Sequence, residues 1–110
     1  MLVDSGPHVG PVQAELIASA VAAANASDVV VAVLGDSAKT CGEGADRISL
    51  DLPGVQMQLL AALVALQKPL ILVLVHGRPV TFGPGNALLD GANAVLATWI
   101  GGEEHGTAVW

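Results

Sequence analysis

The sequence predicts an α/β fold in which helices layer onto a mostly parallel sheet. Three observations predict it. Short apolar runs recur at Val29–Gly35, Leu70–Val75 and Ala94–Trp99. Segments with helical spacing of apolar residues lie between them, and such alternation implies parallel neighbours joined by right-handed crossovers. Hydrophobic residues make up 53% of the 110 residues and charged ones 13%, which excludes a disordered chain. So apolar a composition has two readings: a sheet covered on both faces, or a piece of a larger protein with surfaces buried elsewhere.

Each element has a local reason. Residues 1–10 are rich in Gly, Pro and His and read as loop. Pro11 suits the first position of a helix. Val12, Leu16, Ala20, Val21 and Ala24 then keep helical spacing up to Asn25. Ser27-Asp28 ends that unit. Val29–Gly35 is a continuous β-branched run, the pattern of a parallel strand buried on both faces. Residues 36–51 form a long polar loop. Pro53 opens a second helix with Val55, Leu59, Leu63 and Leu66 on one face. Lys68-Pro69 closes it, since cations suit a helix C-terminus and proline stops it. Leu70–Val75 is the second strand and His76-Gly77-Arg78-Pro79 a turn. A short helix follows at Asn86–Asp90, then the third strand at Ala94–Trp99. Glu103-Glu104 begins a last helix, where acids suit the N-terminus.

The predicted architecture is a three-layer sandwich, flavodoxin-like and incomplete, forming one α/β domain over residues 1–110. Three strands leave two edges to protect. Trp110 stands about two turns into the last helix, with no glycine cap after it. The chain reads as a fragment of a larger domain.

Charge removes several function classes. Net charge is −6, and the four basic residues, Lys39, Arg47, Lys68 and Arg78, form no cluster. No footprint for nucleic acid or for anionic lipid results. The window Met57–Val75 is apolar, but Gln67-Lys68-Pro69 interrupts it, and a spanning helix needs about 20 largely unbroken apolar residues. Met1-Leu2-Val3 runs at once into Asp4, Gly6 and Pro7, unlike a signal peptide. The single Cys41 has no internal disulfide partner and leaves the compartment open; it reads as a structural thiol. His8, His76 and His105 lack the spacing of a metal motif, so neither metal nor cofactor is expected.

If the strands are parallel, their C-terminal ends share one sheet edge, where such sheets bind ligands. That edge receives Glu43, Asp46 and Arg47 from the first loop. It also receives His76 and Arg78 from the second, and Glu103, Glu104 and His105 from the third. The stretch Gly42-Glu43-Gly44-Ala45-Asp46-Arg47 is the most informative. Glu43 is either a solvated loop carboxylate or a proton donor and acceptor freed by its flanking glycines. Asp46-Arg47 is either a local ion pair that shapes the loop or a ligand clamp. His76 and Arg78 read as structural, and Trp99 and Trp110 as core anchors. A nucleotide site is not expected. Gly42-x-Gly44 lacks the dinucleotide fingerprint and the Gly-Lys-Ser/Thr of a P-loop, and Asp36, Glu43 and Asp46 would repel phosphate.

The run from Gly42 to Gln56, which contains Glu43-Gly44-Ala45-Asp46-Arg47 and Leu50-Asp51-Leu52-Pro53-Gly54-Val55-Gln56, resembles the C-terminal α/β domain of glycoside hydrolase family 3. Lys68–Val75 closing in Gly77-Arg78-Pro79 is a second match. Ala94–Trp99 followed by Gly102-Glu103-Glu104 is a third. The resemblance covers about residues 15–110. One departure lies after the third strand, where Gly101, Glu103 and His105 replace the Pro, Gln and Gly frequent in the family. The resemblance implies part of a retaining β-glycosidase, β-glucosidase-like, with Glu43 as the catalytic acid/base and Asp46 as the second candidate, since the position varies among the family's subgroups. Asp46 and Arg47 would bind substrate or shape the loop. The implied partners are a β-glucoside or oligosaccharide substrate and an N-terminal (β/α)8 barrel of the same parent protein, which carries the nucleophile. Arg78 favours a glucoside over a xyloside. The alternative from another class is a non-catalytic flavodoxin-like module that binds a small molecule or carbohydrate. A barrel-sized upstream segment with a catalytic Asp would separate the two.

Overall fold

Residues 10–110 are described by the computed structural model; the loop expected over residues 1–9 and His8 lie outside them. Pro11 opens helix α1, Pro11–Asn25, at a position where no N–H is needed. Ala24 is its buried residue, whereas Val12 and Leu16 are each 66% exposed. Lys68 was expected to complement the second helix. Its Nζ instead donates to the Asn25 and Ser27 carbonyls at the end of α1.

Strand β1 is Val30–Gly35 and helix α2 is Gln56–Val64. Helix α2 starts three residues later than Pro53 because Gly54, at φ 62°, holds the chain outside the helical region. Strand β2, Leu70–Val75, follows. A single 3₁₀ turn at Pro84–Asn86 leads into helix α3, Ala87–Asp90. Strand β3 is Ala94–Ala97 and helix α4 is His105–Val109.

The three strands form one parallel sheet in the order β1-β2-β3. Val30 pairs with Leu70 and Gly35 with Val75; Ile71 pairs with Ala94 and Leu74 with Ala97. The period-two alternation of strands sends Ala32, Leu34, Leu70, Leu72 and Leu74 to one face. There they meet Leu60 and Leu63 of α2, together with Leu52 and Phe82. Leu60, Leu70 and Leu72 are completely buried, and each burial is worth about 1.5–3 kcal/mol.

Burial differs from the reading of β1 as covered on both faces. Val29, Val31 and Val33 are 50%, 45% and 55% exposed. Among the described residues, helix α4, five residues long, borders this second face around Val33, Val73 and Val75. Neither tryptophan is a core anchor. Trp99 is 51% and Trp110 79% exposed. The Thr98 N–H and hydroxyl both donate to the Leu74 carbonyl, at 2.9 and 3.0 Å. The ladder ends after this rung, where Trp99 turns outward at φ 59°. Among the described residues no helix is long and apolar enough to cross a membrane.

Candidate active site

The C-terminal ends of the strands, at Gly35, Val75 and Ala97, open into loops 36–55, 76–83 and 98–104. The first loop is pinned where it begins. Gln56, at the start of α2, accepts from Gly35 N–H at 2.7 Å and donates Nε2–H to Gly35 O at 2.8 Å. A Cβ at Gly35 would collide with the Val75 carbonyl, so only glycine lets β1 and β2 approach here. Asp36 N–H then donates to that carbonyl at 2.9 Å.

The Asp36 carboxylate joins two loops. Its Oδ1 accepts from Arg47 Nη1 at 2.7 Å and from Thr40 Oγ1 at 3.2 Å, and its Oδ2 accepts from Gly77 N–H at 3.1 Å. Arg47 Nη2 also donates to the Asp51 carbonyl at 2.8 Å and the Ser49 carbonyl at 3.2 Å, and its Nε donates to the Ser49 carbonyl at 3.3 Å. Residues 36–47 thus form a hoop closed by an ion pair. Asp46 is not the partner of its neighbour Arg47, so the local ion pair considered from adjacency is absent. Asp46 is exposed and has no hydrogen bond among the described residues.

Glu43 sits at the outer tip of the hoop. Ala45 N–H donates to Gly42 O at 3.1 Å, making a turn around it. Gly42 and Gly44 have φ of 143° and 73°, with open space where side chains would stand. Glu43 itself is exposed and has no hydrogen bond or ion pair among the described residues.

The second loop supplies the floor. Gly77 packs so closely on Cys41 and Ile100 that a Cβ there would strike Cys41 Sγ, in keeping with a structural thiol. Arg78 Nη2 donates to Thr40 O and Ala45 O, both at 3.2 Å. His76 is buried, with Nδ1 2.8 Å from Arg78 O. A carbonyl only accepts, so Nδ1 carries a proton. Its ring lies 4.4 Å from that of Trp99, tilted by 44°.

The third loop reaches the cluster through Trp99 and Ile100. Glu103 and Glu104 are exposed, and His105 is half-buried. None of the three makes an ion pair among the described residues. The described residues also contain no group of three or more His, Cys, Asp and Glu side chains fit to hold a metal ion.

Sequence reading missed three positions. In the sequence Asp36 reads only as a charge that repels phosphate, although a carboxylate directly after a strand is well placed to bind the next loop. Gln56 gave no signal as the clamp on Gly35. Asp51 was passed over too: its Oδ1 accepts from Thr81 Oγ1 at 2.6 Å and from Gly83 N–H at 3.0 Å. The Thr81 hydroxyl and then the Gly83 N–H hold the Asp51 carboxyl below its ordinary pKa against the opposing desolvation, with smaller help from Ser49 and Arg47.

Known proteins share this arrangement of strands and loops. A β-xylosidase of Formosa agariphila is 48% identical over 90 residues, 82% of this chain and 12% of the relative. The periplasmic β-glucosidase of Salmonella typhimurium is 42% identical over 94 residues, 86% of this chain and 12% of the relative. The crystal structure of a β-glucosidase from Kluyveromyces marxianus in complex with glucose superposes with a TM-score of 0.77 at 31% identity, over 93% of this chain and 12% of that one. The chain therefore spans 12% of the length of each of these three proteins. The profile of the glycosyl hydrolase family 3 C-terminal domain matches residues 8–110, and this chain belongs to that family.

Proposed function

We propose that this chain is part of a retaining β-glycosidase that releases terminal β-linked glucose, and that Glu43 is its acid/base. The observation that carries the reading is the setting of Glu43. It is an exposed carboxylate at the tip of a glycine-flanked turn, on a hoop whose base is tied by Arg47 to Asp36. A carboxyl group so placed reaches a substrate above the sheet edge while the base of its loop is tied down.

Retaining hydrolysis needs two carboxylates about 5–5.5 Å apart. In the first step the protonated Glu43 gives its proton to the glycosidic oxygen as the bond to the anomeric carbon breaks. The second carboxylate attacks that carbon and forms the glycosyl-enzyme. In the second step Glu43, now ionised, takes a proton from water as the water displaces the enzyme carboxylate. The nucleophile comes from an N-terminal (β/α)8 barrel of the same parent protein, as the family resemblance implies. Without it this chain hydrolyses essentially nothing. Arg47 shapes the loop in this scheme, because its donors are engaged by Asp36, Ser49 and Asp51. Asp46, exposed beside it, is left for substrate hydroxyls.

Glu43→Ala in the full-length parent protein tests the reading. Turnover of phenyl β-glucoside, a poor leaving group, should fall by about 10²–10⁴-fold. Azide should restore part of the turnover of 2,4-dinitrophenyl β-glucoside. An unaffected variant would move the acid/base role elsewhere. Faster cleavage of 4-nitrophenyl β-xyloside than of the glucoside by the unaltered enzyme would replace the sugar.

A further inference from the structure

We infer that Arg78 is a positioning residue for Glu43, acting through the backbone of the first loop; the inference rests on the acid/base reading above. One guanidinium nitrogen, Nη2, donates to both Thr40 O and Ala45 O at 3.2 Å. These two carbonyls bracket Cys41-Gly42-Glu43-Gly44, the short bridge that carries the carboxylate. One nitrogen thus holds both ends of that bridge. The bridge needs holding, because both neighbours of Glu43 are glycines in the positive-φ region with open space where a Cβ would stand, and glycine leaves the backbone widely mobile.

Arg78 is itself well anchored. Its carbonyl is bonded by the buried His76 at 2.8 Å. The preceding Gly77 N–H donates to Asp36 Oδ2 at 3.1 Å, and Asp36 takes Arg47 on its other oxygen. The guanidinium is therefore fixed to the end of β2 while it grips a loop that leaves β1. Its Nε is buried with no acceptor among the described residues, a burial that is unfavourable for folding. A clamp on the Glu43 bridge gives that burial a purpose. Arg78 thereby sets where the Glu43 carboxyl stands relative to the scissile bond, without touching substrate.

The test is leaving-group dependence in the full-length parent protein, with Arg78→Met as the variant and Glu43→Ala as the reference. Misplacing the acid should lower kcat/KM for phenyl β-glucoside by about 10²-fold, the loss expected from a displacement of about 1 Å. The 2,4-dinitrophenyl glucoside needs little protonation and should lose far less. Arg78→Lys, which keeps a cation with hydrogens to donate, should recover part of the loss. Unchanged kinetics for folded Arg78→Met would overturn the inference. So would equal losses on the two substrates, which would place Arg78 in substrate binding. If Arg78→Met lowers Tm so far that it is not folded at the assay temperature, Arg78→Lys decides by the same comparison. If Glu43→Ala shows leaving-group dependence and folded Arg78 variants do not, this inference alone fails. If Glu43→Ala shows none, the acid/base reading fails and this inference with it.

Discussion

Arg47 Nη1 lies 2.7 Å from Asp36 Oδ1, and the two side chains are 4% and 0% exposed. The pair closes the hoop that carries Glu43 and is the ion pair found among the described residues. A buried pair contributes little over a well-packed apolar substitute, but removing one partner strands a charge. Arg47→Ala should therefore destabilise the fold by about 3–5 kcal/mol, as should Asp36→Ala. In urea unfolding the double variant should lose clearly less than the sum of the single losses, since contacting residues couple. Additive losses would show that the pair does not act as a unit.

Gly35 and Gly44 are required for different reasons, and substitution should separate them. A Cβ at Gly35 meets the Val75 carbonyl inside the β1–β2 ladder, at φ 144°. Gly35→Ala should cost more than about 4 kcal/mol and leave little folded protein by circular dichroism. Gly44, at φ 73°, has open space around it. Gly44→Ala should cost only the left-handed penalty of about 1–2 kcal/mol. A native-like Gly35→Ala protein would contradict the register in which Gly35 pairs with Val75.

Asp51 gives the fold a predictable response to acid. Hydrogen bonds from Thr81 and Gly83 lower its pKa below the ordinary value of 3.8. A depressed carboxylate stabilises the fold above its unfolded pKa, and that contribution is lost as pH falls through the folded value. The advantage of the unaltered protein over Asp51→Asn should be constant near neutrality. It should shrink as pH drops below about 4, where the unfolded aspartate protonates. Urea midpoints of both proteins across the pH range measure this. An advantage that grew on acidification would reverse the assignment.

How legible the chain is depends on the range of the forces involved. Leu70–Val75 was read to the residue because Pro69 and His76 bound a continuous apolar run. The apolar run Ala94–Trp99 is two residues longer than the strand, since apolarity alone does not reveal that the backbone turns at Trp99, φ 59°. The start of α2 was placed at Pro53 because proline suits that position, but Gly54 delays the helix. Adjacency drew Asp46 and Arg47 together as a pair, whereas Arg47 pairs with Asp36, 11 residues earlier. Glu43 was legible as a candidate because glycines flank it. Its support by Arg78, 33 to 38 residues from the carbonyls it binds, was not.

By itself the sequence determined the alternation of strands and helices, the parallel sense of the sheet and the loop edge that holds the polar groups. Hydrophobic periodicity and turn residues act over a few positions, so they can be read along the chain. Only the tertiary structure decided which groups on that edge are partners. It joined Asp36 to Arg47 and Gly77, Gln56 to Gly35, Asp51 to Thr81, and Arg78 to the bridge around Glu43. It also turned Trp99 outward against His76 and left Val31 and Val33 of β1 half-exposed. Hydrogen bonds and ion pairs depend on distances of about 3 Å, and those distances exist only after the sheet has brought remote loops together.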